Sequence, residues 1–434
     1  MAMTRRPVAC LIKGGHVVGV SRIEKADIAI DDGKIVAIEA DIDAHCAGDV
    51  IDARGLHILP GIIDSQCDMP NTHPPLTSEE AFHDKMARSK GRMFCDYGFY
   101  VGATRHNLAM LSVIEQCEGC AGIKIFMGSS TGDLLLDDDS VIASVLRQTR
   151  GLVAVHSEDE ARLRARAGSL QQWATWWGEG AHQRWRDVKV ALSSTKRLVS
   201  LVRQTQRPVH ILHVTTEEEL LWLATLSPES RRHISLEVTP HHMTFWTPDV
   251  LRHARALGSG HFAIVNPPLR GKRHHRALWR AVASGQIRTI GSDHAPHRVD
   301  EKTAHAYPHT PSGMGGLEMW VSVMLTHCHE GRLSLPAFVR MTSAHVATLF
   351  GMEGKGFIKV GYDADMTFID LKARKRLDVA QCASKAGWSM YHGMEVVGVV
   401  RMTMIRGRMV MREGQVLGEA RGRPCRFLRP HVPS

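Results

Sequence analysis

Residues 289–297, TIGSDHAPH, set an aspartate and two histidines, Asp293, His294 and His297, behind a short β-branched run and a small-residue turn. That places proton-carrying and metal-competent groups at the carboxyl end of a strand, where α/β barrels carry their chemistry. Alone, the stretch also fits an aspartate that caps the next helix, with two surface histidines after it. Three earlier runs end the same way: GIKIF carries Lys124, VAVHSEDE carries His156, and VHILHVTT carries His210 and His213. One such group per strand end, strand after strand, is not what core packing asks for. At a strand's two-residue period His210 falls on the face opposite His213 and reads as structural. The ammonium of Lys124 also fits one that snorkels to the surface from an apolar run. His294 reads as a residue that orients a ligand or a loop.

The elements that must position these groups alternate between strand and helix. Strands are expected at 57–64, 94–101, 122–126, 152–157, 209–214, 234–239 and 288–293. Helical periodicity covers 79–90, 140–149, 159–167, 185–204, 216–226 and 273–284. Such alternation implies parallel strands joined by right-handed crossovers. A closed parallel barrel takes eight strands, so the seven found here leave one absent. Both termini read differently, as short antiparallel strands with turns at Asp32-Gly33, Gly407 and Glu413-Gly414. The expectation is an α/β protein: a TIM-like (β/α) barrel over 59–350, missing one strand, beside a small composite β-sandwich from 1–58 and 351–434.

Composition narrows the function classes. The 434 residues are 44% hydrophobic and 23% charged, enough for a large buried core, and no apolar run is long enough to cross a bilayer. The first dozen residues fall short of a signal-peptide core, and nine cysteines without regular spacing suit a reducing compartment, so a cytoplasmic protein is expected. Cys117 and Cys120 form one CxxC, but no second pair completes a zinc site. The net charge of +9 suits an anionic small-molecule substrate, and no zinc-finger or RNA-binding signature supports nucleic acid.

The motifs LPGIID (59–64), MPNTHPP (69–75), GIKIFMGSSTG (122–132), HSEDE (156–160), HILHVTT (210–216), EVTPHH (237–242), NPPLR (266–270), GSDHAPH (291–297), PSGMGGLE (311–318) and KVGYDADMTFID (359–370) occur in one order. Together they resemble the dihydroorotases of the amidohydrolase superfamily, close to the allantoinases and hydantoinases, from about residue 8 to residue 427. The resemblance implies zinc, one or two ions, held by a carboxylated Lys124, His156, His213 and Asp293. Such an ion lowers the pKa of a bound water toward 7. It also makes Asp293 the proton carrier between water and leaving nitrogen, and gives substrate contacts to Asn71, Asn266 and His297. The implied reaction is the reversible hydrolysis of dihydroorotate to N-carbamoyl-aspartate in pyrimidine biosynthesis.

The chain departs from that pattern after Asp64. Relatives carry histidine, any residue, histidine and an arginine there, then a helix and a second strand that leads to MPNT. Here Ser65, Gln66, Cys67 and Asp68 run directly into Met69. Four residues cannot hold a crossover helix and a parallel strand, so about 30 residues are expected to be missing. Gln66 stands at the first histidine position and the second histidine and the arginine have no counterpart. Two functions follow: a metal-dependent hydrolase with impaired turnover, or a catalytically inactive scaffold that associates with aspartate transcarbamoylase. A homo-oligomer fits either.

Overall fold

The computed structural model describes residues 8–67, 74–129 and 134–428. Six strands, Phe99–Gly102, Cys120–Phe126, Leu152–His156, Val209–Ile211, Ile234–Val238 and Thr289–Ile290, pair in chain order and in parallel. Alternate side chains explain why the sheet needs helices. Ile123, Ile125, Val153, Val155, Ile211, Leu236 and Val238 share one core cluster with Ile142, Leu146, Leu198, Val202 and Leu278 of the helices outside it. The helices are Glu79–Ser89, Asp139–Gln148, Glu160–Ala167, Val188–Thr205, Glu217–Ala224 and Lys272–Ala283, within a few residues of the sequence expectation. Most begin at a side-chain cap that accepts an otherwise orphaned backbone N–H, such as Asp138, Asp159 and Asp187. Thr216 and Glu219 form a reciprocal capping box.

The first expected strand, 57–64, is divided. His57–Pro60 belongs to another sheet, where it runs parallel to His16–Val17 and antiparallel to Met366–Ile369. Beyond it Gly61 N–H donates to Asp365 O and Ile63 N–H to Thr342 O, so these amides are spent on a loop and on the helical segment Arg340–Ala344 rather than on the ladder of the parallel sheet. The segment then reaches the last parallel strand at a single bridge between Cys67 and His294. On its other flank the Tyr100 hydroxyl donates to Ser65 O at 3.2 Å. Among the described residues no strand pairs with the outer edge of Phe99–Gly102. That edge is nonetheless covered: Gly102 N–H donates to Leu76 O, and Tyr97 exchanges backbone bonds with Arg423 and Cys425. Coverage of this kind protects an unpaired edge from intermolecular pairing.

Strands from both termini form one nine-stranded mixed sheet, in which His57–Pro60 joins the N-terminal strands to Met366–Arg376, Glu395–Ile405 and Arg408–Arg412. Its hairpins turn at Asp32-Gly33, Arg406-Gly407 and Glu413-Gly414, all with positive φ at both positions, as two-residue turns between twisted strands require. The sheet packs on itself, since Ile28, Ile30 and Ile58 share a core cluster with Met366, Phe368 and Met404. No helix among the described residues is long and apolar enough to cross a membrane.

Candidate active site

The inner face of the parallel sheet is polar. Lys124 and His156 are buried at its carboxyl end, on neighbouring strands whose register pairs Lys124 with Ala154 and Phe126 with His156. A two-residue period therefore puts both side chains on the same face of the sheet. His213 arrives by another route. Its strand stops at Ile211, and a left-handed turn at φ 36° redirects the chain. Asp293 follows its own strand in the same way at φ 49°. Backbone of this kind costs a non-glycine residue about 1–2 kcal/mol and gathers where function fixes a side chain.

One cavity is lined by Gln66, Lys124, Phe126, His156, His213, His241, Val265, Asn266, Asp293 and the segment Ser312–Met314. It brings together Lys124, His156, His213, Asp293 and Asn266 of the expected set. Asn71 lies outside the described residues. His297 is not in the cavity wall: its Nε2 donates to Ser312 O at 3.0 Å, so it braces the wall from behind. His294 acts on a loop, its Nδ1 accepting from the amides of Gly316 and Leu317. Lys124 does not reach the surface: it is only 3% exposed and its ammonium lies 4.9 Å from the Phe126 ring centroid.

His210 corrects the sequence expectation in one respect. It does not face away from the site but lies on the same face of the sheet beneath it, near Ser235 Oγ (2.8 Å), Glu237 Oε2 (3.2 Å) and Thr289 Oγ1 (3.4 Å). The alternation argument failed because the turn at His213 breaks the period. The structural role expected for His210 fits these bonds.

The electrostatics set the tautomers. Burial alone would raise the Glu158 carboxyl, but the Arg186 guanidinium and the His156 ring outweigh it and hold it at about 2. The ionised carboxylate therefore accepts from His156 Nε2 at 3.0 Å, which leaves His156 Nδ1 with a lone pair. That nitrogen lies 3.1 Å from His213 Nε2. Burial first, then the neighbouring His156 and Lys124, depress His213 far below the usual imidazole range, so it is neutral. Two nitrogens bound to one tetrahedral ion at about 2.0–2.1 Å lie about 3.3–3.4 Å apart, close to the spacing found. The donor set thus fits a divalent metal.

Across the cavity Gln66 Nε2 donates to Asp293 Oδ1 at 2.6 Å, while Gln66 Oε1 is buried without a partner among the described residues. Asp64 ties this segment to the last strand by accepting from Ser292 N (2.8 Å), Ser292 Oγ (2.5 Å) and Gln66 N (3.3 Å). Asn266 Oδ1 and His241 Nε2 are also buried beside the cavity and have no partner among the described residues. Sequence reasoning gave His241 no role, although it follows strand Ile234–Val238 much as His213 follows Val209–Ile211. Glu158, two residues after His156, was legible only as part of the HSEDE motif.

A parallel sheet with helices outside, polar groups inside, and a histidine–lysine–aspartate cluster at the strand ends defines a hydrolase of the amidohydrolase type. The amidohydrolase family pattern matches residues 58–410, and the chain belongs to that family. It is 28% identical to a dihydroorotase of Methanosarcina acetivorans over 93% of this chain and 92% of that protein. It is also 28% identical to an allantoinase of Deinococcus radiodurans, over 97% and 98%. The crystal structure of an L-hydantoinase from Arthrobacter aurescens superposes with a TM-score of 0.86 at 26% identity, over 95% of this chain and 98% of that one.

Proposed function

We propose that the protein is a dihydroorotase-type cyclic amidohydrolase that interconverts dihydroorotate and N-carbamoyl-aspartate with reduced turnover. The observation that supports this reading best is the 3.1 Å approach of His156 Nδ1 and His213 Nε2 in a cavity also lined by Lys124 and Asp293. A zinc-like ion held by these two nitrogens and a carboxylated Lys124 would supply a hydroxide at neutral pH. Asp293 accepts the proton of the attacking water and returns it to the leaving nitrogen. Gln66 Nε2 donates to Asp293 Oδ1 and so helps to place the carboxylate. Glu158, fixed by Arg186, orients His156 through its far nitrogen, the usual device for aiming a histidine ligand. Asn266 presents its Oδ1, unpaired among the described residues, to a ring N–H of the substrate.

The reduction in turnover rests on the segment 61–67. Gln66 stands where relatives place the first of the two first-strand histidines and the second has no counterpart, while the thiol of the intervening Cys67 is turned to Asp64 at 3.3 Å. We attribute this to loss of the barrel's first helix and second strand. The same observation favours a second reading, an inactive scaffold that associates with aspartate transcarbamoylase. Metal analysis of the purified protein together with a dihydroorotate assay in both directions tests the two. About one ion per chain with slow turnover abolished in Asp293→Asn supports the enzyme. Absence of turnover in metal-loaded protein refutes it, and co-purification with a transcarbamoylase then supports the scaffold.

A further inference from the structure

The CxxC at Cys117 and Cys120 is not a chelating pair, because Cys120 is fully buried with its Sγ 3.8 Å from Gly122 O. Cys117 faces elsewhere. Its Sγ lies 4.0 Å from His83 Nε2, which lies 3.6 Å from Glu79 Oε1, and one donor atom of each residue falls within 4.8 Å of the others. We infer that Glu79, His83 and Cys117 form a surface site for a borderline-soft divalent ion such as zinc, separate from the catalytic cavity, with water as the fourth ligand.

The spacing carries the argument. Separations of 3.6 and 4.0 Å exceed those of good hydrogen bonds, about 2.7–3.2 Å for N–H to oxygen. Around a tetrahedral zinc with bonds of about 2.0–2.3 Å, donors sit about 3.3–3.8 Å apart, so the His83–Glu79 and Cys117–His83 pairs need to close by only a few tenths of an ångström, and the Glu79–Cys117 pair lies within 4.8 Å. Their carriers are already placed. Glu79 and His83 are four residues apart on helix Glu79–Ser89, so they share a face, and Phe82 between them is fully buried and fixes the helix rotation. Cys117 sits in a turn closed by Cys117 N to Ile114 O and Cys120 N to Cys117 O. Gly119 lets that turn approach the helix, since a Cβ there would meet Met86 Cε at 2.5 Å.

The chemistry of the donors favours zinc over magnesium or calcium. A thiolate, an imidazole and one carboxylate are soft to borderline, whereas the hard cations take all-oxygen shells. Thiolate and carboxylate together balance a divalent charge. His83 and Glu79 keep side-chain exposures of 61% and 40%, which leaves the ion an entry path and room for water. The triad Asp96, Asp363 and Asp365 differs in this respect, because the Lys355 ammonium already fills it at 2.5–2.8 Å. An ion at Glu79, His83 and Cys117 would tie helix Glu79–Ser89 to strand Cys120–Phe126, next to the strand whose outer edge has no strand partner among the described residues.

Sulfur makes the site separable from the catalytic one, whose proposed ligands are nitrogen and oxygen only. Cobalt(II) added to the chelator-treated full-length protein is expected to produce a thiolate-to-cobalt charge-transfer band. The band should vanish in Cys117→Ser and His83→Ala and persist in Cys95→Ser, with circular dichroism unchanged. Zinc should likewise slow alkylation of Cys117, read by peptide mass spectrometry, at least tenfold in the native protein and in Lys124→Ala alike. Absence of the band, its survival in Cys117→Ser, or alkylation indifferent to zinc would each overturn the inference.

Discussion

Lys302 offers a prediction that can be worked through in energy. Its side chain is fully buried, and its ammonium donates to Ile264 O at 3.0 Å and Pro311 O at 2.7 Å, the carbonyls just before the cavity-lining pairs Val265-Asn266 and Ser312-Gly313. Burial lowers its pKa from 10.5 to about 7. At roughly 1.4 kcal/mol per unit, holding that charge inside costs about 5 kcal/mol relative to the unfolded chain. The unfolded state binds the proton up to its own higher pKa. The folded state is therefore relieved as pH rises from about 7 toward 10.5 and carries the full cost below that window. Between about pH 7.5 and pH 9.5 this group should add roughly 2–3 kcal/mol to stability. Lys302→Met removes the titration and leaves Pro311 O without this donor, a loss of about 1–3 kcal/mol. Ile264 O keeps its bond from Gly313 N. Urea unfolding of both proteins across that range is the assay. The native stability should gain on the variant with rising pH, and thiols such as Cys10 and Cys328, which burial raises to about 11 and about 12 and which therefore titrate in that window only when unfolded, cancel in the difference. Parallel profiles would mean that Lys302 is not held in the dry environment described.

Other perturbations test the site itself. Lys124→Ala should lose the bound ion at the cavity, read by elemental analysis, and unchanged metal content at that site would contradict the proposed ligand set. Asp293→Asn should abolish dihydroorotate turnover while retaining metal, since an amide cannot accept the proton; measurable residual rate would move the proton-carrying role elsewhere. Insertion of a relative's histidine-to-second-strand segment between Gln66 and Met69 should raise turnover by more than tenfold, and failure would place the defect outside that segment. Gly291→Ala would bring a Cβ within 2.7 Å of Glu237 Oε1 and 2.8 Å of Ser65 Oγ, so its denaturation midpoint should fall by the equivalent of about 1–3 kcal/mol.

Much of this was legible in the sequence because the helices carry caps and apolar stripes of their own, as Asp138 and Thr216 show. Lys124, His156 and Asp293 were legible too, since each ends a β-branched run. Strand periodicity failed where backbone conformation changes hand, which is why His210 was given the wrong face. It failed again at 57–64, where an apolar run does not disclose which of two sheets will take its amides. The Gln66 to Asp293 bond joins residues 227 positions apart and has no local signature. Nor does the approach of Cys117 to His83, because their two elements meet only through tertiary packing, with Phe82 and Met86 sharing a core cluster with Ile114 and Cys120.

The strand His57–Pro60 joins partners made at very different times. One neighbour, Val8–Val18, precedes it closely, while the other, Met366–Arg376, follows about 300 residues later. At roughly 5–20 residues per second, the ribosome needs about 15 to 60 s to deliver it. Throughout that interval Ile28, Ile30 and Ile58 lack the Phe368 and Met404 side chains that complete their core. Pairing over such a span is slow even in a finished chain. The nascent N-terminal hairpins therefore stand as an unfinished half-core while the barrel forms, and chaperone demand should be concentrated there.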